Sequence, residues 1–336
     1  MLRKDYPFFS LIIVFFLMLT ACAQAEPIPT VRPQPLSFTL TQYTSKISQP
    51  PQNPENNEEK DDTQNTENIQ DNQCDQNIPL SNLALTKLNS ILYVQTSAEF
   101  QMAAIQSYSL AAVMLDRGLA DPNWTAAIEQ LDGNYSNLPP AIILDVDETV
   151  LDNSANQVRL VNSGSTWDID LWNAWVNEAK APAVPGSIEF LQYAQSKGVT
   201  VFYMTNRSYE LEQATRKNLI DLGCPMDNNL DTLLTNGEQE DWVTDKTSRR
   251  SLLAEQYRIL LLIGDDPNDF VSGTKEGNPL SRNEVFSAYQ AYWGEKWIII
   301  PNPMYGGWDA ALYDFDYSLP PEEKFNRMYE WMDPLE

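Results

Sequence analysis

The chain has 336 residues, with 22 lysines and arginines, 47 aspartates and glutamates, three cysteines and no histidine, and its net charge is −25. So few cations cannot neutralise nucleic-acid phosphates, and we expect no nucleic-acid partner. The absence of histidine excludes Ser-His-Asp and Cys-His hydrolysis, histidine-ligated zinc and phosphohistidine chemistry. Any catalysis must therefore use carboxylates, lysine, hydroxyl groups or a hard metal ion.

The N-terminus has the pattern of an export signal. Arg3-Lys4 precedes an almost uninterrupted apolar run over 8–19, which is shorter than the ~18–20 residues of a spanning helix. The run ends in Leu19-Thr20-Ala21-Cys22, which resembles a bacterial lipobox. We predict a lipoprotein signal peptide over 1–21 and lipidation of Cys22, which would tether an extracytoplasmic protein to a bacterial membrane. An uncleaved membrane anchor is the alternative.

Residues 22–80 have little to bury and are rich in Pro, Gln, Asn, Thr and acidic residues. We predict a disordered, extended tether that spaces a folded part over 81–336 from the membrane. The segment 1–80 carries a net charge of −5, which leaves −20 on the rest, and most of those carboxylates are expected on the solvated surface. Cys74 and Cys224 could pair in an oxidising compartment, but two cysteines do not make a disulfide framework, and we expect them to be unpaired.

Strand and helix patterns alternate over the folded part. Helical spacing predicts helices over 83–117, 186–197, 208–222 and 245–257, and short apolar runs predict buried strands at 141–146, 199–204, 231–235, 259–263 and 297–300. Strands that alternate with helices pair in parallel through right-handed crossovers, so we predict a doubly wound, Rossmann-like α/β sheet. Ligands of such sheets lie beyond the carboxyl ends of the strands.

Acidic, hydroxyl and amide side chains follow three of the predicted strands, and a lysine begins a helix between the third and fourth. The first strand ends at Asp145-Val146-Asp147, the second at Thr205-Asn206-Arg207 and the fourth at Gly264-Asp265, with Asp269 close behind; the lysine is Lys246. Two carboxylates that point the same way repel each other unless a cation lies between them. With Asp265 they could form an oxygen-only site suited to Mg²⁺.

These residue types permit phosphoryl transfer. Asp145 could attack phosphorus, Asp147 could act as acid and base, and the Thr205 hydroxyl and the Lys246 ammonium could stabilise the phosphoryl oxygens. Each residue alone has a simpler explanation: turn chemistry for the paired aspartates, a strand or cap position for Thr205, the surface for Lys246, and helix capping for Asp265 to Asp269. The ordered occurrence of all of them at strand ends favours the functional interpretation.

The segment DVDETVLDNS over 145–154 resembles the first motif of the haloacid-dehalogenase (HAD) superfamily. Its ending is similar to that of the "DDDD" acid phosphatases, in particular the bacterial class C acid phosphatases, which are lipoprotein 5′-nucleotidases. The resemblance covers most of 90–315. It also includes Gln95 to Tyr108, WNAWV at 172–176, VPG at 184–186, VFYMTNR at 201–207, Lys246 with Arg249-Arg250, and PNPMYGGW at 301–308.

The resemblance implies a role for each matching residue. Asp145 would be the nucleophile and a Mg²⁺ ligand, and Asp147 the acid/base and a ligand through its backbone oxygen. Thr205 and Lys246 would stabilise the phosphoryl group, Asp265 would bind the metal, and Asp269 would support a metal-bound water or Lys246. The family usually reads Gly-Asp-Asn-Leu-x-Asp-Phe where this chain has Asp266 and Pro267 in place of Asn and Leu.

The resemblance further implies a HAD-like fold with a small, mainly helical cap domain, for which about 81–140 and 155–183 are the candidate segments. Asn206 is a candidate substrate-binding residue. Trp172 and Tyr305 are candidates for stacking on a flat base, with core packing as the alternative, whereas we expect Trp175 to be core.

We therefore predict an exported, Mg²⁺-dependent acid phosphatase that hydrolyses phosphate monoesters, nucleoside monophosphates above all, through an aspartyl-phosphate. One alternative is a phosphotransferase on the same scaffold. Others are a non-catalytic relative, such as the plant vegetative storage proteins, and a nucleotide-binding lipoprotein. The sequence leaves the substrate and the oligomeric state open, a homo-oligomer included.

Overall fold

The computed structural model describes residues 82–227 and 229–333. The predicted signal peptide over 1–21 and the tether over 22–80, with Cys22 and Cys74, lie outside these residues. Within the described ranges, no helix combines the length and the apolar character that crossing a membrane requires.

Helices and strands alternate along the described chain. The strands are β1 (Pro140–Leu144), β2 (Thr200–Ser208), β3 (Leu233–Asn236), β4 (Arg258–Gly264) and β5 (Trp297–Ile299). The helices are α1 (Asn82–Leu85), α2 (Leu88–Thr96), α3 (Ala98–Ala120), α4 (Ser154–Ser163), α5 (Ile169–Glu178), α6 (Ser187–Ser196), α7 (Glu212–Asp221), α8 (Thr247–Gln256), α9 (Pro279–Ala288), α10 (Gly307–Ala311) and α11 (Pro321–Glu330). Short 3₁₀ turns span Ile128–Gln130, Tyr209–Leu211 and Pro267–Asp269.

The five strands form one parallel sheet in the order β3-β2-β1-β4-β5, which confirms the predicted doubly wound α/β fold. At the end of β1, Leu144 lies beside Tyr203 of β2 and Ile263 of β4. The chain fills one half of the sheet with β1 to β3 and then returns to the other side of β1 with β4 and β5. The boundary between β1 and β4 is thus a topological switch point, where such sheets bind ligands.

Both faces of the sheet are covered. Ala141 to Leu144 of β1 are all buried, although their side chains alternate between the two faces. The main apolar core includes Ile143, Phe202 and Trp297. Helix α3 packs against α6, β4 and β5. Strand β1 is the central strand of the sheet, so the residues after its carboxyl end begin from a fully buried position.

The prediction of one helix over 83–117 is wrong, because the chain forms α1, α2 and α3 there. Between α2 and α3, Ser97 has extended backbone angles, and its hydroxyl accepts a hydrogen bond from the Phe100 N–H at 3.1 Å. Serine at this position caps a new helix instead of continuing the old one. No glycine or proline marks the break in the sequence.

The predicted cap segments divide between two cores. Helices α2 and α4 share a second, smaller apolar core that contains Ile91, Val94, Val161 and Met304. Phe100, in the first turn of α3, belongs to the same core, but α3 also packs against β4 and β5, and Ala126-Ala127, which lie within the segment 81–140 as well, pack with the sheet. The assignment of a cap domain as a whole stays a prediction.

Candidate active site

A cleft of about 770 Å³ opens at the carboxyl edge of the sheet. Its inner part is lined by residues that follow β1 and β4, by the last residues of β2, which runs on to Ser208 and so includes Asn206 and Arg207, and by the start of α8. The lining includes most of the predicted site residues, namely Asp145, Asp147, Trp172, Asn206, Lys246, Asp265, Asp269 and Tyr305. Thr205 is fully buried behind this surface. The structure therefore brings the predicted residues together as expected from the strand ends.

Asp145 follows β1 directly and is held from two sides. Its backbone N–H donates to the Ile263 carbonyl of β4 at 2.9 Å, and its Oδ1 accepts a hydrogen bond from Lys246 Nζ. Its Oδ2 accepts no hydrogen bond from the described residues. Burial raises the pKa of Asp145 to about 7; the Lys246 ammonium opposes this rise, whereas the Asp269 carboxylate adds to it.

Lys246 lies at the N-cap of α8 and is almost completely buried. Its Nζ also donates to Asp269 Oδ1 at 2.7 Å, so it links two carboxylates. Burial alone would lower the pKa of Lys246, but Asp145 and Asp269 outweigh it and the pKa is raised. The two carboxylates therefore favour the charged form of the ammonium.

Two buried arginines of α8 fix this lysine in place. Arg249 Nη1 donates to the Thr205 carbonyl at 2.6 Å, and its Nη2 donates to Asn206 Oδ1 at 3.0 Å. Arg250 donates to the Asp269 carbonyl at 3.3 Å. Helix α8 is thereby joined to the end of β2 and to the 3₁₀ turn that follows β4.

Three carboxylates form a cluster that could hold a metal ion. Oxygen atoms of Asp145, Asp265 and Asp269 lie within 4.8 Å of one another. Burial raises the pKa of Asp265 well above its usual range, and the carboxylates of Asp269 and Asp145 raise it further. A bound cation would relieve this repulsion, and the all-oxygen donor set fits a hard ion such as Mg²⁺. The Asp147 carboxylate is not part of the cluster.

The two departures from the usual family sequence have a structural role. Asp266 caps the 3₁₀ turn at Pro267–Asp269, with Oδ1 accepting from the Asn268 N–H, while its own N–H donates to Asp269 Oδ2. Pro267 occupies the first position of the turn, where proline is favoured. Asp266 Oδ2 accepts from the Gly307 N–H at 2.7 Å. The loop after β4 is thus tied to the segment that carries Tyr305.

Asp147 faces Arg207, a residue that sequence reasoning did not place in the site. Arg207 is buried, and its Nε and Nη2 donate to Asp147 Oδ1 at 3.0 and 2.8 Å. Asn153 Nδ2 donates to the same oxygen at 2.9 Å, and the Thr205 hydroxyl donates to Oδ2 at 3.4 Å. Oδ2 is therefore the less engaged oxygen of Asp147.

Glu148, also missed by sequence reasoning, anchors Tyr305. Its backbone is left-handed, with φ of 57°, and its buried carboxylate accepts from the Asn153 N–H at 2.7 Å and from the Tyr305 hydroxyl. Burial raises the pKa of Glu148 well above its usual range, and the Asp147 charge adds to this. The only sequence signal was the position of Glu148 inside the first motif.

Aromatic rings line the cleft on two sides. The Trp172 ring lies 5.9 Å from that of Trp167, a second tryptophan that sequence reasoning missed, and Arg207 Cζ lies 5.5 Å from the Trp172 ring centroid. Tyr305 contributes from the loop after β5. Trp175 is buried and its Nε1 donates to Asn153 Oδ1 at 2.8 Å, consistent with a core role.

Comparisons with known proteins identify the family. The model of the HAD superfamily, subfamily IIIB (acid phosphatase), matches residues 59–308, and the chain belongs to this family. The class C acid phosphatase from Bacillus anthracis is 34% identical, with a TM-score of 0.65, and the match covers 76% of this chain and 99% of that one. The tungstate-bound structure of the class C acid phosphatase from Bacillus anthracis is 33% identical, with the same TM-score and coverage. The predicted class C resemblance is thus confirmed.

Plant relatives are more distant. The Stem 28 kDa glycoprotein of Glycine max is 26% identical over 136 residues, and Acid phosphatase 1 of Solanum lycopersicum is 27% identical over 164 residues. These matches cover 39% and 48% of this chain. The chain spans about half the length of these relatives, 52% and 57% respectively.

Proposed function

We propose that this protein is a Mg²⁺-dependent phosphomonoesterase, an acid phosphatase that acts on nucleoside monophosphates and similar small phosphate esters. One observation carries the proposal: Asp145 lines the cleft with one oxygen held by Lys246 and the other without a hydrogen bond from the described residues. A carboxylate in this state is oriented and still free to react, and a cation held by the carboxylate cluster would keep it ionised below its pKa of about 7. The family membership supports the same activity.

In the first step, Asp145 Oδ2 forms a bond to phosphorus while the bond from phosphorus to the ester oxygen breaks. The proton that the leaving oxygen needs comes from Asp147 Oδ2, the less engaged oxygen of that carboxyl group. Lys246 stays beside Asp145 and stabilises the negative charge on the phosphoryl oxygens. Arg207 holds Asp147 throughout.

In the second step, water attacks the phosphorus of the aspartyl-phosphate, Asp147 Oδ2 takes its proton, and inorganic phosphate leaves with Asp145 restored. Asp145, Asp265 and the backbone oxygen of Asp147 would hold the Mg²⁺, and Asp269, the third carboxylate of the cluster, would help to attract the ion while it orients Lys246. When bound, the ion supplies positive charge beside the phosphoryl group.

The test is phosphate release from a nucleoside 5′-monophosphate with and without Mg²⁺. We expect Asp145→Asn and EDTA each to abolish release, and added Mg²⁺ to restore it to the native enzyme only. Asp221→Asn, which breaks an exposed ion pair with Lys217 on α7, is the matched control and keeps full activity. Release that persists in Asp145→Asn would contradict the mechanism. Product analysis with an added alcohol separates hydrolysis from phosphotransfer.

The proposed preference for nucleotides rests on two aromatic rings that line the cleft. Trp172 and Tyr305 line the cleft from different elements, and stacking of a base on such rings contributes about 1–3 kcal/mol. We expect Trp172→Ala to raise KM for a nucleoside monophosphate more than for a phosphate ester that lacks a base. An equal effect on both esters would remove the argument for base stacking.

We also propose that the protein is exported and held at a bacterial membrane by lipid on Cys22, which the basic, apolar and small-residue pattern of residues 3–22 supports. Expression of the full chain in a bacterium and separation of membrane from soluble fractions tests this. Native protein should sediment with membranes, and Cys22→Ala should not acquire lipid. Lipid-free native protein would contradict the proposal.

A further inference from the structure

The cations that line the cleft fall into two groups. Lys87, Arg207 and Lys246 each form an ion pair with an aspartate that also lines the cleft. Lys275 and Lys324 form no ion pair with any carboxylate of the described residues. Lys275 is exposed on a loop, whereas Lys324 is partly buried in α11. Lys324 is thus a positive charge without a carboxylate in direct contact among the described residues, although the more distant Asp316 interacts with it electrostatically.

Aromatic rings and one carbonyl hold the Lys324 ammonium. Its Nζ lies 5.2 Å from the ring centroid of Tyr313 and 5.9 Å from that of Tyr317, and it donates to the Tyr317 carbonyl at 2.9 Å. Such ring contacts attract a cation but leave its charge in place. An ammonium has three donors, so two remain for a ligand.

Lys324 belongs to an outer wall of the cleft formed by the C-terminal part of the chain. Tyr313, Phe315 and Tyr317 line the cleft, and the backbone between them is left-handed at Asp314 and Phe315, with φ of 53° and 58°. Helix α11 packs against α1, and Met328 of α11 completes the lining. This wall lies beyond residue 308, where the family match ends.

We infer that Lys324 recognises a second anionic group, a phosphate or a carboxylate, on the leaving group of the substrate. The inference rests on the proposed function, because it takes the reacting phosphate to bind beside Asp145 and Lys246. The sequence from residue 81 onwards has a net charge of −20, which disfavours a second negative charge unless a cation meets it. Two free N–H donors on Lys324 provide charge-assisted hydrogen bonds to that group.

The experiment compares two matched pairs of substrates. One pair is adenosine 5′-monophosphate and adenosine 3′,5′-bisphosphate, with release of the 5′-phosphate followed by product analysis. The other is 4-carbamoylphenyl phosphate and 4-carboxyphenyl phosphate, which have nearly the same size but differ in charge. The pairs place the second anion at different distances from the reacting phosphate and distinguish a phosphate from a carboxylate.

Lys324→Met removes the charge and keeps an apolar stem. We expect it to lower kcat/KM for the doubly anionic member of at least one pair about tenfold more than for its partner, mainly through KM. Lys324→Arg, which keeps the charge, should retain most of the wild-type ratio of kcat/KM between the doubly anionic substrate and its partner. Lys296→Met is the matched control, because Lys296 also lies over two rings, Trp124 and Tyr292, but outside the cleft. It should change neither ratio.

If Lys324→Met lowers kcat/KM equally for both members of both pairs, the inference is overturned. A lysine that only holds Tyr313 and Tyr317 in place would affect all substrates alike. The inference would also be overturned if the wild-type enzyme hydrolyses all four esters and Lys324→Met changes kcat/KM for none of them. If wild-type enzyme releases phosphate from none of the four, the proposed function fails instead.

Discussion

Arg207 donates from both Nε and Nη2 to one oxygen of Asp147, at 3.0 and 2.8 Å. The guanidinium is itself fixed, because its Nη1 donates to the Thr215 hydroxyl at 3.1 Å and its Cζ lies over the Trp172 ring. This two-point contact sets the rotation of the Asp147 carboxylate and leaves Oδ2 as the oxygen that can exchange a proton. Arg207 also links Asp147, the proposed acid, to the Trp172 ring that lines the cleft.

Arg207→Lys tests this contact, since it keeps the charge but loses the planar two-point geometry. We expect kcat for a phosphate monoester to fall by about tenfold or more, because a small misplacement of a catalytic group is costly. Arg216→Lys is the matched control: Arg216 donates twice to one oxygen of Glu212 on α7, outside the cleft. It should retain wild-type kcat. Wild-type kcat in the Arg207→Lys variant would show that the contact does not position Asp147.

Gly264 at the end of β4 leaves room for Asp269. A Cβ added at Gly264 would overlap the Asp269 side chain, which holds Lys246 through Oδ1 and the Asp266 N–H through Oδ2. We expect Gly264→Ala to displace Asp269, to raise the Mg²⁺ concentration needed for activity and to lower the free energy of unfolding by about 1–3 kcal/mol.

Urea unfolding and Mg²⁺ titrations of activity measure these effects. Gly133→Ala serves as the control, because the nearest atom to its added Cβ, the Gln130 carbonyl oxygen, lies 3.4 Å away. It should have neither effect. An unchanged Mg²⁺ requirement in Gly264→Ala would mean that the position of Asp269 does not influence Mg²⁺ binding.

The strand ends were predictable from the sequence because a parallel sheet places them at one edge whatever the details of packing. Asp145 and Asp265 could therefore be located from the apolar runs that precede them, and Lys246 from the start of a helical pattern. The role of Arg207 could not be predicted in the same way. A guanidinium at a strand end can reach several carboxylates, and only the folded structure shows that its partner is Asp147. The break at Ser97 was equally hidden, since a capping serine looks like any polar residue of a helix surface.

Helix α11 was missed although its signals are present. Pro321 stands at the first helical position, Glu322 and Glu323 fall in the first turn, and Arg327 falls in the last. Its contact with α1 joins the two ends of the described chain, and no local pattern predicts such a long-range pairing. The outer wall of the cleft was for this reason absent from the sequence-based prediction.

Stability at high pH should depend on Cys224. Burial raises the pKa of this thiol to about 12. The unfolded chain releases the thiol proton near pH 8.5–9 and the folded chain does not, so stability falls as pH rises above that value and until it reaches the folded pKa. Between pH 8 and 10.5 we expect the free energy of unfolding to drop by about 2 kcal/mol more in wild type than in Cys224→Ala. Parallel slopes in urea titrations would contradict the assignment.

Tyr305→Phe tests whether Glu148 holds the Tyr305 ring in place at the cleft. The change removes the hydroxyl that donates to the buried Glu148 carboxylate and leaves the ring free to rotate away from the cleft. We expect KM for a nucleoside monophosphate to rise several-fold with little change in kcat, and the free energy of unfolding to fall by about 1–3 kcal/mol. Tyr135→Phe, which removes an exposed hydrogen bond to the Asn123 carbonyl, should change neither. A loss of stability with unchanged KM would show that the contact supports the fold but not the substrate.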